Sequence, residues 1–351
     1  ERIHHIETQK HLPSYAHPTA IMPSGLLSES SDEAHLEKLG SLPDRLIFLL
    51  GPHRSGTTYL HQALVDTGAF DYISYYDLVE FDRLIFNQET GRRESVIQSL
   101  REEMERFGPT RGVDHMAINP LHAEEYGFLL EKRYHNIQQA SHISNTDFEP
   151  LKILCRKKRF LSPEQKPLIL KNPTDFYDGF IRISENFPTS QFIFIHRHPL
   201  NVFNSNILLL RNLIKSKNPW LAKIDRSYDA VFDSPRVLQA IQMSTFSPRG
   251  LQLVFEKFCN ACEFYINHIQ LLDSDRAVSL RYEDLCKAPL DVLRRIIHKL
   301  DLPIGEDCLD AHPSPRKMAI LPEVERIYRA NAERTEPYLN HLGYAIMPND
   351  L

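Results

Sequence analysis

Apolar residues in this chain gather in short unbroken runs: Leu46-Ile47-Phe48-Leu49-Leu50, Leu168-Ile169-Leu170 and Phe192-Ile193-Phe194-Ile195. A run with no polar position to turn toward water fits a strand buried on both faces, the habit of a parallel sheet. A late segment, Ala277 to Tyr282, reads as a further strand. Tyr72-Ile73-Ser74-Tyr75-Tyr76 reads as the start of another, with Asp77 at its end. Between these runs the spacing changes to that of helices. Tyr59, Leu60, Ala63 and Leu64 share one face, and Gly68 is placed to cap the end. Further helices are predicted over Leu200 to Leu213, with Pro199 at the first position, and from about Leu251 to Leu272. Leu290, Leu293, Ile296, Ile297 and Leu300 form an amphipathic stripe that Pro303 stops. A last helix is expected near Glu323–Leu339. Strands alternating with helices predict an α/β fold with a mainly parallel sheet.

Other stretches lack this rhythm. Residues 1–43, with Pro13, Pro18, Pro23 and Pro43, read as an N-terminal arm with a short helix around Glu33 to Leu39. Residues 44–345 read as a single domain with insertions near 82–165 and 214–250. Within the first insertion, 82–107 is polar and helical, 108–120 is loop-like, and Leu121 to Tyr134 is helical. The basic run Arg156-Lys157-Lys158-Arg159 reads as a solvated face. The second insertion, which holds the only tryptophan, Trp220, reads as irregular. Phe203, Trp220 and Phe232 read as core rather than as pocket lining.

The bulk numbers narrow the class. The chain has 351 residues, 42% hydrophobic and 25% charged, with a net charge of −5. These are globular values, with no excess of cations for nucleic acid and no apolar run long enough to span a bilayer. The five cysteines are sparse and odd in number, which points to a reducing, cytoplasmic setting rather than a disulfide framework. Cys259 and Cys262 form a CxxC without a second pair to complete a zinc site, so they read as core thiols.

Candidate chemistry begins where the first strand ends, in Gly51-Pro52-His53-Arg54-Ser55-Gly56-Thr57-Thr58. Strand, glycine turn and helix form a phosphate cradle of backbone N–H groups at a helix N-terminus. Gly51, Gly56 and Thr58 fit the spacing of a Walker A loop, but Thr57 stands where that motif has its lysine. Such a loop suits an anion and is poorly equipped for Mg-ATP. A second anion unit follows the Phe192–Ile195 run. Arg197 lies just past the strand, and Ser205 sits eight positions later on the next helix. Ligands of open α/β sheets bind beyond the carboxyl ends of the strands, so Arg54 and Arg197 fall on one edge.

These motifs resemble those of the sulfotransferase family that uses 3′-phosphoadenosine 5′-phosphosulfate (PAPS). The resemblance covers roughly Leu46 to Tyr344. It is closer to the broad bacterial and protein-tyrosine type than to the cytosolic type. Pro52 to Thr58 is similar to the 5′-phosphosulfate loop. Phe194-Ile195-His196-Arg197-His198-Pro199 with Ser205 is similar to the 3′-phosphate motif. Leu280 to Leu285, followed by Pro289, resembles the segment whose tyrosine, here Tyr282, lies near the adenine. Leu170-Lys171-Asn172-Pro173 resembles the strand-end segment whose lysine faces the transferred group. Arg316 and Lys317 resemble a C-terminal basic pair that reaches the 3′-phosphate.

The resemblance implies a P-loop-like fold, PAPS as donor, its bisphosphate PAP as product, and no metal. His53, Arg54, Ser55, Gly56, Thr57 and Thr58 would hold the 5′ end, and Arg197 and Ser205 the 3′ end. Lys171 and Arg54 would stabilise charge during in-line transfer. A hydroxyl acceptor calls for a general base. Asn172 stands where the cytosolic type carries histidine, so Asp77 is the first candidate, with His115 and Glu125 behind it. A small-molecule kinase and a non-catalytic nucleotide-binding protein remain competing readings. The acceptor is a small molecule or a peptide, and an alcohol, phenol, sugar, amine or peptide tyrosine all remain open.

Overall fold

The computed structural model describes residues 31–114, 116–133, 143, 147–302 and 318–347. Five parallel strands form one sheet: β1 (Leu46–Leu50), β2 (Asp71–Tyr72), β3 (Leu168–Lys171), β4 (Gln191–His196) and β5 (Ala277–Arg281), in the order β2-β3-β1-β4-β5. The sheet is covered by helices on both faces, as the unbroken apolar runs require. Alternation along each strand divides the side chains between two cores. Phe48, Leu168, Leu170, Phe192 and Phe194 enter one, and Ile47, Leu49, Ile169, Ile193 and Ile195 enter the other. The first face is aromatic: the Phe48 and Phe192 rings lie 5.8 Å apart, and those of Phe192 and Phe194 6.0 Å apart. Among the described residues no helix is long and apolar enough to cross a membrane.

The predicted strand over Tyr72–Tyr76 ends after Tyr72. Ser74 caps a short helix, Tyr75–Val79, and Asp77 closes a capping box: the Ser74 hydroxyl accepts from Asp77 N, and Asp77 Oδ2 accepts from Ser74 N. Asp77 therefore lies within a helix and not at a strand end. The helix expected over Leu121 to Tyr134 begins only at Gly127; the preceding residues run extended, with Glu125 bridged to Lys171 of β3.

The segment predicted to be irregular, 214–250, is helical: Pro219–Ile224, Arg226–Val231, Pro235–Phe246, and the start of Pro248–His268. Three of these helices open on a capping side chain followed by proline, Asn218-Pro219, Ser234-Pro235 and Ser247-Pro248. Proline at the first helical position loses no hydrogen bond, because that N–H is unsatisfied in any helix.

The basic run at 156–159 is not a solvated face. It lies in the helix Phe148–Leu161, and Lys157 is buried against Asp32 at 2.8 Å, each side chain 2% exposed. Lys158 reaches Asp77 at 2.9 Å and Arg159 reaches Asp44 at 3.1 Å. Asp32 also accepts from the N–H groups of Ile85 and Phe86. Removing one partner of such a buried pair strands the other, at a cost of about 3–5 kcal/mol. Lys157→Met should lower the urea-denaturation free energy by about that amount. Lys157→Met combined with Asp32→Asn should recover part of the loss.

Candidate active site

The strand order sets the site. Lys171 ends β3, Gly51 follows β1, Arg197 follows β4 and Tyr282 follows β5, so these residues fall side by side along the carboxyl edge. Adjacent strands lie about 4.8 Å apart, so the row spans roughly 14 Å. Groups scattered over 230 positions of the sequence become neighbours only through the parallel pairing.

The loop at the centre is under backbone constraint. Arg54 has φ +72, a left-handed conformation unusual for a residue with a side chain, which costs on the order of 1–2 kcal/mol. Gly56 has φ +98, and a Cβ there would stand 2.4 Å from the Tyr282 ring. Only glycine allows β5's tyrosine to close on the loop. The helix Thr57–Asp66 then begins, and among the described residues no side chain caps it. Its first N–H groups and positive dipole end face the cradle.

Arg54 joins the two anion units predicted separately. Its Nε donates to Ser205 Oγ at 3.0 Å, and a terminal nitrogen donates to Val113 O at 3.1 Å. The Arg197 guanidinium donates to Arg54 O at 3.1 Å and lies over the Tyr282 ring at 4.7 Å. Arg54, Ser205, Arg197, Tyr282 and Gly56 thus form one connected cluster. Two buried donors in it, Ser55 Oγ and Arg197 Nε, have no hydrogen-bond partner among the described residues. A buried donor left alone is costly, and an anion seated in the cradle is the kind of ligand that would complete this bonding.

On the other side of the loop, Lys171 is fully buried and held by two oxygens: Thr58 Oγ1 at 3.0 Å and Glu125 Oε1 at 3.1 Å. Burial by itself would raise the Glu125 carboxyl, but Lys171 and His53 outweigh it and hold the group below its usual value. His53 stands by the same pair, its Nε2 3.5 Å from Thr174 Oγ1, and burial lowers its pKa against the pull of Glu125. Asn172 turns away from this chemistry. It donates to Asp175 at 2.9 Å, Tyr126 OH donates to the same carboxylate, and Asn172 packs where any side chain at Gly127 would collide with it.

Of the acid–base candidates, Glu125 lies at the site. Asp77 is tied to its capping box and to Lys158, and it does not line the cavity beside Lys171. His115, Arg316 and Lys317 lie outside the described residues.

A cavity of about 250 Å³ opens beside the Lys171–Glu125 pair. Its floor is polar, with His53, Thr58, Glu125 and Thr174, and its walls are mixed: Phe128, Leu209, Leu213, Trp220 and Leu221 form an apolar side, and Arg54, Arg111, Asp114 and Asp225 a charged one. Trp220 is buried in the core, as expected, and its ring also walls this cavity. The Arg111 guanidinium stacks on it at 4.5 Å and pairs with Glu124 at 2.5 Å and Asp114 at 2.6 Å. Burial pushes Glu124 up to about 7 even against that cation. Arg111 is a site residue that sequence reasoning missed. It sits in a 108–120 loop with no periodicity, and its one local mark is Gly112, whose φ of +73 lets Asn218 press close and bond Arg111 O at 2.8 Å.

Comparison with known proteins agrees with this geometry. A model of the "Sulfotransferase family" matches residues 46–259. Omega-hydroxy-beta-dihydromenaquinone-9 sulfotransferase Stf3 from Mycobacterium bovis is 25% identical over 281 residues, spanning 74% of this chain and 64% of that protein. The same-named protein of Mycobacterium tuberculosis matches equally. Among solved structures, sulfotransferase STF9 from Mycobacterium avium superposes with a TM-score of 0.65 at 16% identity, covering 91% of this chain and 81% of that one. The phosphate-type loop, the strand-end lysine and the Arg197–Ser205 unit all lie within the 214 residues of the family match, and the chain belongs to the sulfotransferase family.

Proposed function

We propose that the protein transfers a sulfuryl group from PAPS to the hydroxyl of a small acceptor whose apolar part meets the Phe128, Leu209, Leu213, Trp220 and Leu221 side of the cavity. The observation that carries this reading is the junction at the cavity floor. Buried Lys171 touches both the loop hydroxyl of Thr58 and the carboxylate of Glu125, so the anion cradle and the cavity share one cation. In this reading residues 44–345 act as one catalytic unit behind the 1–43 arm.

The residues present fit such a donor. The loop N–H groups, Ser55 and Arg54 would hold the 5′ end, and Arg197 with Ser205 the 3′ end. Tyr282, fixed between Arg197 and Gly56, offers a ring face to the base. When bound, PAPS supplies the sulfuryl group and a phosphate leaving group. The protein's work is positioning and charge stabilisation, as in phosphoryl transfer. Lys171 neutralises charge on the departing oxygen from a buried position, where its field is little screened. Glu125 accepts the acceptor's proton. The two roles reinforce each other, because a lysine drawn toward the leaving oxygen releases its hold on the carboxylate and makes it a better base. An acceptor with an apolar part accords with that side of the cavity. The Mycobacterium bovis relative, named for an omega-hydroxy dihydromenaquinone, is consistent with a hydroxyl on such an acceptor.

Donor binding is tested by thermal shift. Adenosine 3′,5′-bisphosphate at 100 times its Kd should stabilise by about 2.7 kcal/mol. Arg197→Ala should abolish the shift. A midpoint that rises with Mg-ATP and not with the bisphosphate would select the kinase reading instead. Transfer of labelled sulfate from PAPS then separates an enzyme from a nucleotide-binding scaffold.

Kinetics test the roles. Glu125→Gln should reduce kcat by about 10²- to 10⁴-fold with little change in bisphosphate affinity. Retained turnover would remove Glu125 as the base. Because the active base is the ionised form, activity is lost as pH falls through the Glu125 pKa. With Lys171 and His53 holding that value down, the wild-type profile should stay flat down to the ordinary carboxylate range, about 4.3. In Lys171→Met, burial acts without that cation, so the acid limb of the residual activity should move to higher pH. An unmoved limb would show that Glu125 is not the group being titrated.

A further inference from the structure

The strongest feature that the proposed chemistry leaves unused is a pair of helices packed against the Pro199–Lys215 helix. The helices Pro235–Phe246 and Pro248–His268 form a hairpin across a single residue, Ser247. The first of them buries only Thr245. It exposes Val237 by 41%, Met243 by 65% and Phe246 by 62%, and the second exposes Leu253 by 49%. Arg236, Ala240 and Met243 follow one another at helical spacing, as do Arg249 and Leu253, so cation and apolar side chain share each outward face. Neither Arg236 nor Arg249 has an ion-pair partner among the described residues.

Charge separates this hairpin from the rest of the chain. The whole protein carries a net charge of −5, with 46 acidic residues, yet none occurs from Ser234 to Phe255. The wider segment 211–255 holds seven lysines and arginines against three aspartates. An exposed apolar ridge flanked by arginines, carrying no carboxylate of its own and with neighbouring Glu323 paired to Arg211, is complementary to an anionic lipid surface.

We propose that the 235–253 hairpin docks the protein on anionic membranes, with Val237, Met243, Phe246 and Leu253 entering the interface and Arg236 and Arg249 facing lipid phosphate. The hairpin packs on one of the helices that wall the cavity. Gln242 donates to Ile214 O, and Arg211, whose guanidinium covers Phe246 at 4.2 Å, donates to Thr245 O. Both partners lie on the helix whose Leu209 and Leu213 wall the cavity. Docking there would set the cavity beside the bilayer, although binding to lipid requires no donor and no turnover.

The test uses the full chain and vesicles of phosphatidylcholine, with or without 30% phosphatidylglycerol by design. Co-sedimentation should be strong only with the anionic vesicles and should weaken at high salt, because each surface cation contributes about fivefold in binding. Arg236→Glu with Arg249→Glu, and separately Met243→Asp with Phe246→Asp, should each reduce binding at least tenfold while bisphosphate thermal shifts stay unchanged. Met243→Cys carrying an environment-sensitive fluorophore should shift to the blue on the same vesicles. Wild-type binding that is absent, indifferent to lipid charge, or untouched by both double variants would overturn the proposal. A concentration-dependent dimer that Met243→Asp dissociates, without vesicle binding, would assign the face to a second copy instead.

Discussion

A sheet packed on both faces leaves polar chemistry nowhere to stand except beyond the ends of its strands. That constraint organises this protein. Phe48, Phe192 and Phe194 fill one side and Ile47, Ile169 and Ile193 the other, so the first groups able to meet a ligand are Lys171, the Gly51–Thr58 loop, Arg197 and Tyr282. Parallel pairing points all four strand ends the same way. The rigid core also holds the strain at Arg54, since a loop pinned by Tyr282, Ser205 and Arg197 cannot relax its left-handed backbone.

Charge is handled by pairing rather than exposure. Lys171 is compensated by Glu125, Arg111 by Glu124 and Asp114, Lys157 by Asp32, and Lys158 by Asp77. The last two pairs fasten the Phe148–Leu161 helix to segments far from the cradle, and they explain why a basic run need not meet solvent. The first two lie against the cavity. There a cation and a carboxylate within about 3 Å of each other feel a weakly screened field, and small displacements alter both. Arg111 belongs to the wall and Lys171 lies behind the floor residues Thr58 and Glu125, so the 108–114 loop and β3 approach the same cavity with compensated charge.

The strands were legible because burial on both faces leaves a composition that no other element shares at that length. Helix positions were legible where one face was apolar and a cap was visible. The 214–250 segment was misread because proline ends helices and also begins them, and only the preceding Asn or Ser decides which. Asp77 was misread because a run of tyrosines suits a strand, while the Ser74–Asp77 box that makes it helical depends on two side chains meeting. Glu125 was legible only as a candidate behind Asp77, and Arg111 not at all. Their places at the cavity arise from an extended stretch laid beside β3 and a loop laid over Trp220, both long-range contacts.

By itself the sequence determined the α/β class, the glycine-containing loop after β1, the Arg197 and Ser205 spacing after β4, and the lysine at the end of β3. Each of these is written in adjacent residues, and local chain geometry reads them directly. Tertiary structure alone decided that Arg54 joins the two units, that Glu125 rather than Asp77 stands against Lys171, and that Trp220 walls a cavity. These are distances between residues dozens of positions apart, and they exist only once the sheet order has fixed which strand ends are neighbours.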